Sequence, residues 1–84
     1  MPSDELHDRV KALLAREWNI LPSAIPDNAT INEFPQWDSL GHITIMLALE
    51  NEFGLEISAE TVQELLSLPK IVEHLSAHEA KGGN

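Results

Sequence analysis

An all-α fold, a small four-helix bundle of three longer helices and one short one, is what this sequence predicts. Three observations carry that expectation. Apolar residues recur at helical spacing near both ends and through the middle of the chain. Cap residues stand where those periods begin, at Asp38, Ser58 and Ser67. No stretch alternates apolar and polar residues as a half-buried strand does.

The first helix is expected over about Ser3 to Trp18, with Leu6, Val10, Leu13 and Leu14 on one face and Ser3 or Asp4 as its cap. From Ile20 to Trp37 the chain holds Pro22, Pro26 and Pro35 among Ser, Asn, Asp and Thr, which predicts a long loop. A loop of that length needs an anchor, and Ile20, Leu21, Ile25, Ile31 and Phe34 are the candidate apolar pins. The second helix should run from Ser39 to Phe53, capped by Asp38 and terminated by Gly54. Ser58 should cap a short third helix from Glu60 to Leu66. Ser67, with Pro69 in the first turn, should open a fourth ending near Ala77 or His78, with Leu68, Ile71, Val72 and Leu75 on one stripe. No repeat or linker divides the chain. The reading is therefore one domain over 1–84, with an ordered core of about 4–78 and a flexible tail at 79–84.

At 84 residues the domain can bury one modest core but cannot comfortably enclose a deep catalytic pocket. It has no cysteine, so it has no disulfide framework, thiolate metal site or cysteine nucleophile, and thiol chemistry would have to arrive on a cofactor. The start of the chain does not read as a signal peptide and no apolar run approaches membrane-spanning length, which gives a cytoplasmic protein as the default. The formal charge of −9 argues against nucleic acid as a partner. After Arg9, Lys11 and Arg16 no Lys or Arg occurs until Lys70, while Asp27, Glu33, Asp38, Glu50, Glu52, Glu56, Glu60 and Glu64 fall between. Such a negative middle would steer the molecule toward basic surfaces on partner proteins, or simply keep a small domain soluble.

The most informative stretch is Trp37-Asp38-Ser39-Leu40, which sets a serine at the start of a strongly apolar helix. Backbone N–H groups there lack intrahelical acceptors and the helix dipole is positive, so a phosphate ester on Ser39 would sit in a favourable field. Asp38-Ser39-Leu40, followed by Ile43, Ile45 to Glu50, Glu52-Phe53-Gly54 and Ile57, resembles the acyl and peptidyl carrier proteins over roughly Leu6 to Leu75. The resemblance implies that Ser39 carries 4′-phosphopantetheine from coenzyme A, flanked by Asp38 and Leu40, and that its terminal thiol holds acyl or aminoacyl groups as thioesters. It implies a non-enzymatic carrier served by a phosphopantetheinyl transferase, a loading enzyme and a downstream synthase or transferase. The sequence does not fix the oligomeric state, and a monomer is the default expectation. The second helix is apolar nearly all round, which marks either a central helix or a docking surface. Ile45, Met46, Leu49 and Phe53 are expected in the core. Leu40, Ile43 and Leu47 form a second stripe, expected to meet partner enzymes together with Trp37, His42 and Glu50, with His42 exposed near the arm. The bland alternative is that Leu40, Ile43 and Leu47 pack against the proline-rich loop.

Other constellations carry less. Asp38, Ser39 and His42 are too close together at one helix start to form a hydrolytic triad. His74 and His78 have a spacing that can share a metal but lack a convincing third ligand, so a polar helix face is the better reading. The loop Asp27 to Glu33 puts Ala29 where a calcium ligand is needed, and no metal is assigned. Relative to carriers of fatty-acid synthesis, Gly41 and Thr44 stand where acids are typical, and Trp37-Asp38-Ser39-Leu40-Gly41-His42 looks more like specialised free-standing carriers of polyketide, peptide or amino-acid-loading pathways. The runner-up function is a small helical interaction module that uses the exposed stripe and carries no cofactor.

Overall fold

A computed structural model of the chain describes residues 2–33 and 35–82. Four helices follow in order: α1 Pro2–Trp18, α2 Ser39–Phe53, α3 Ala59–Glu64 and α4 Leu68–Gly82, with a single 3-10 turn at Pro22–Ala24 in the long loop. No strand is formed among the described residues. One isolated antiparallel bridge joins Thr30 to Ser67.

The first helix packs against both α2 and α4. Its stripe of Leu6, Val10, Leu13 and Leu14 is buried together with Ala15. Met46, Ile45 and Leu49 from α2, Leu65 beyond α3, and Leu68, Ile71 and Leu75 from α4 join it in the core. The helix ends on Asn19 at φ 59°. Its N–H bonds the Arg16 carbonyl at 3.3 Å and the next N–H, of Ile20, reaches back to Ala15 at 2.9 Å. These two bonds are the Schellman closure, with asparagine in the left-handed position more often held by glycine.

The second helix keeps the expected bounds, Ser39 to Phe53, with Gly54 at φ 63° as the left-handed terminator. The third helix is shorter than expected and stops at Glu64. The fourth is longer, continuing to Gly82 instead of ending near Ala77 or His78, while Gly83 and Asn84 lie outside the described residues.

The loop from 20 to 37 is tied down differently from the sequence expectation. Ile25 is fully buried and Ile20 and Ile31 pack partly into the core, but Leu21 is 72% exposed and pins nothing. Phe34, the remaining candidate, lies outside the described residues. Ala29 and Trp37 are the unforeseen anchors, both with no exposed surface. Around Ala29 the loop joins the α3–α4 junction through backbone bonds from Ile31 N–H to Leu66 and from Leu68 N–H to Ala29, at 2.9 and 2.8 Å. Phe53, expected in the core, is half-buried at the edge, with the Arg9 guanidinium 4.7 Å from its ring centroid. No described helix is long and apolar enough to cross a membrane.

Candidate functional site

Ser39 is the first residue of α2 and is exposed. Its position is set by Asp38, whose backbone is extended at φ −104°, ψ −169° and whose side chain accepts the Gly41 N–H at 2.8 Å. The Asp38 carbonyl then accepts the His42 N–H at 2.8 Å and starts the helical ladder. The capped turn therefore presents the Ser39 hydroxyl outward at the positive end of a 15-residue helix whose first turn holds no acidic residue.

Gly41 has a steric reason that the sequence did not reveal. A Cβ at this position would land on the Gln36 carbonyl oxygen and lie 3.1 Å from Trp18 Nε1. The loop crosses α2 so closely there that only glycine fits, and Trp18 Nε1–H donates to the Gly41 carbonyl at 3.2 Å. Thr44, the other position where an acid was expected by comparison, turns its hydroxyl back to the Leu40 carbonyl at 3.0 Å.

Two residues expected at the docking surface are instead interior. Trp37 is fully buried and His42 is 3% exposed. The Trp37 indole N–H donates to His42 Nδ1 at 3.0 Å, the two rings lie 6.1 Å apart, and Trp18 also packs on Trp37 with centroids 5.4 Å apart. His42 Nε2 meets the Val62 carbonyl at 2.7 Å. The physical cause was present in the spacing. His42, Ile45, Met46 and Leu49 follow i, i+3, i+4, i+7, which puts the histidine on the core stripe of α2. With both ring nitrogens committed, His42 cannot serve as a base for Ser39, so the triad fails on geometry as well as on sequence.

Glu50, expected among the docking residues, also has a structural contact. It is half-buried and accepts the Ile57 N–H at 2.8 Å, closing the turn between α2 and α3. The apolar stripe, by contrast, faces solvent. Leu40 is 77% exposed, Ile43 47% and Leu47 60%, forming a ridge that starts beside Ser39 and runs along α2. Contiguous apolar surface of this kind marks an interaction site. Among the described residues no group of three or more His, Asp and Glu is placed to hold a metal.

The bundle therefore presents Ser39, exposed, at the head of α2 beside the apolar ridge. Residues 8–75 match the family model described as the phosphopantetheine attachment site, and the chain belongs to this family of phosphopantetheine-binding carrier proteins. Among individual relatives, the acyl carrier protein of Thermosynechococcus vestitus is 29% identical over 76 residues, an alignment covering 90% of this chain and 94% of that one. Members of the family are carriers without catalytic activity of their own. They bear covalently attached 4′-phosphopantetheine and work with a phosphopantetheinyl transferase and partner enzymes.

Proposed function

We propose that Ser39 is the residue that bears 4′-phosphopantetheine and that this protein delivers acyl or aminoacyl groups, held as thioesters on that arm, to partner enzymes. The observation that carries the reading is the exposed Ser39 hydroxyl at the first position of α2, next to the exposed ridge of Leu40, Ile43 and Leu47. The residues fit the group. Asp38 caps the turn with its own carboxylate on the Gly41 N–H, while the free first-turn amides favour the phosphodiester. When bound, the arm supplies a thiol that the cysteine-free chain lacks. The ridge then gives a partner apolar surface to grip beside the arm. Incubation with a broad-specificity transferase and coenzyme A should add the arm's mass to the intact protein, and Ser39→Ala should abolish the gain. A gain that survives Ser39→Ala would move the site elsewhere, and no gain with several transferases would favour the cofactor-free interaction module.

The carrier reading extends to a specialised pathway rather than general fatty-acid elongation, because neither Gly41 in the first turn of α2 nor Thr44 one turn on is an acid. A partner built to grip carboxylates there would lose about 1.5–3 kcal/mol per desolvated charge-assisted bond, and far less at an exposed rim. Gly41 has no room for an added side chain, so Thr44→Glu is the substitution that tests the cause. Malonyl- or acyl-loaded protein should be elongated more slowly than the resident carrier by fatty-acid synthase enzymes of the same source, and Thr44→Glu should recover part of the rate. Equal rates would defeat the specialised reading.

A further inference from the structure

The buried imidazole of His42 has no part in the carrier chemistry described above, yet it makes two directional bonds to two other segments. An indole N–H can only donate and a backbone carbonyl can only accept. The contacts of 3.0 Å from Trp37 and 2.7 Å to Val62 therefore require one state of the ring, neutral, with the proton on Nε2 and the lone pair of Nδ1 facing Trp37. Each bond meets a need that the fold creates. The Trp37 indole is buried and must find an acceptor. Val62 sits in the last turn of a six-residue helix, where carbonyls have no partner within the helix. Burial of α3 itself is slight, since none of its residues is fully buried.

We infer that His42 is a positioning residue for the modification of Ser39: through Trp37 it fixes the chain entering α2, and through Val62 it holds α3 against α2. The inference rests on the reading that Ser39 receives the arm. Trp37 lies two residues before Ser39, and besides the indole bond its carbonyl accepts the Asn32 N–H at 2.6 Å, so it anchors by side chain and backbone the segment that leads into the Asp38 cap. A transferase has to bring the Ser39 oxygen in line with a phosphorus atom. Small misplacements of a reacting group are costly in rate. The two halves of the relay thus have different consequences. The Trp37 bond bears on Ser39, and the Val62 bond bears on α3.

Two substitutions separate the halves. In His42→Asn the amide oxygen takes the place of Nδ1 and keeps the Trp37 acceptor but does not reach Val62. In His42→Gln the amide nitrogen takes the place of Nε2 and keeps the donor to Val62 but withdraws the acceptor from Trp37. Each deletes one bond, so a purely structural histidine would show similar losses in both. The expected result is that His42→Asn transfers the arm within about twofold of the parent while backbone amides of 62–65 exchange faster. His42→Gln, and Trp37→Phe with it, should lose roughly three- to tenfold in transferase kcat/KM, the scale of one net hydrogen bond, with 62–65 still protected. Equal losses that track melting temperature, or full activity in His42→Gln, would overturn the inference. Should both variants fold poorly, imidazole nitrogen NMR of the unaltered protein decides: a neutral ring protonated on Nε2, coupled to a slowly exchanging Trp37 indole proton, is required, and a ring protonated on Nδ1 contradicts it. If the unaltered protein accepts no arm, the Ser39 reading fails, while the NMR and exchange results still judge the relay.

Discussion

Replacing Gly41 by alanine would press a methyl group onto the Gln36 carbonyl, and the backbone there has no flexible end to move aside. Overpacking of this kind costs about 1–3 kcal/mol, so Gly41→Ala should lower the denaturation midpoint by a corresponding amount, and an unchanged midpoint would show that the loop yields. A second residue-level expectation concerns Asp27. Lys11 Nζ lies 2.7 Å from its carboxylate, and this hydrogen bond and charge hold the Asp27 carboxyl below the usual carboxylate value, with His7 adding a smaller pull in the same direction. A carboxyl with a depressed folded-state pKa contributes stability that is present above its unfolded value and is lost as pH falls through the folded one. Because Asp27 is exposed, the contribution is small. Asp27→Asn should therefore melt slightly below the parent at neutral pH, with the gap closing in acid, and a gap independent of pH would remove Asp27 from the account.

At the scale of elements, α2 divides into a buried and an exposed face, and truncation should separate them. Leu49 is fully buried, so Leu49→Ala should cost about 2–5 kcal/mol. Ile43→Ala should stay within about 0.5 kcal/mol and instead slow transfer to partner enzymes. Comparable destabilisation by both would mean that the ridge is packed and not presented. Phe53 belongs between these cases, since it lies half-buried under Arg9, and its truncation should cost less than that of Leu49. The bounds of α2 were legible because an Asp cap and a Gly terminator are local signals. The asparagine that closes α1 was not, because the left-handed region is uncommon for any residue but glycine. Trp37 and His42 were misplaced because their nearness to Ser39 suggested the docking surface, while the 3.6-residue period put His42 inside. The second ring nitrogen of the buried histidine finds its partner only on α3, twenty residues further along, and such a contact leaves no local mark.

For the molecule as a whole, a formal charge of −9 on 84 residues predicts self-repulsion that salt relieves over a Debye length of about 10 Å at ~0.1 M. Some of the acids are already placed against it, Asp27 beside Lys11 among them. Glu52 lies 3.6 Å from the Arg16 guanidinium, and Glu50 accepts the Ile57 N–H. Glu56, Glu60 and Glu64 remain exposed. Added sodium and magnesium at matched ionic strength should raise the melting temperature alike if screening is the cause, whereas no rise with either would reject repulsion. The four-helix plan was readable from periodicity and caps, as was the exposed serine at the head of α2. What holds that serine in place, a loop crossing over Gly41 and an indole seated on a histidine, depends on chain segments meeting in space. The central claim is that this meeting presents Ser39 as the point of attachment for a thioester-bearing arm. It is tested most directly by recovering the protein from its native source under mild conditions and mapping the modification by peptide mass. The account predicts the arm on the peptide containing Ser39, with a cargo released by hydroxylamine as a thioester is. An unmodified Ser39, or an arm on any other residue, would contradict it.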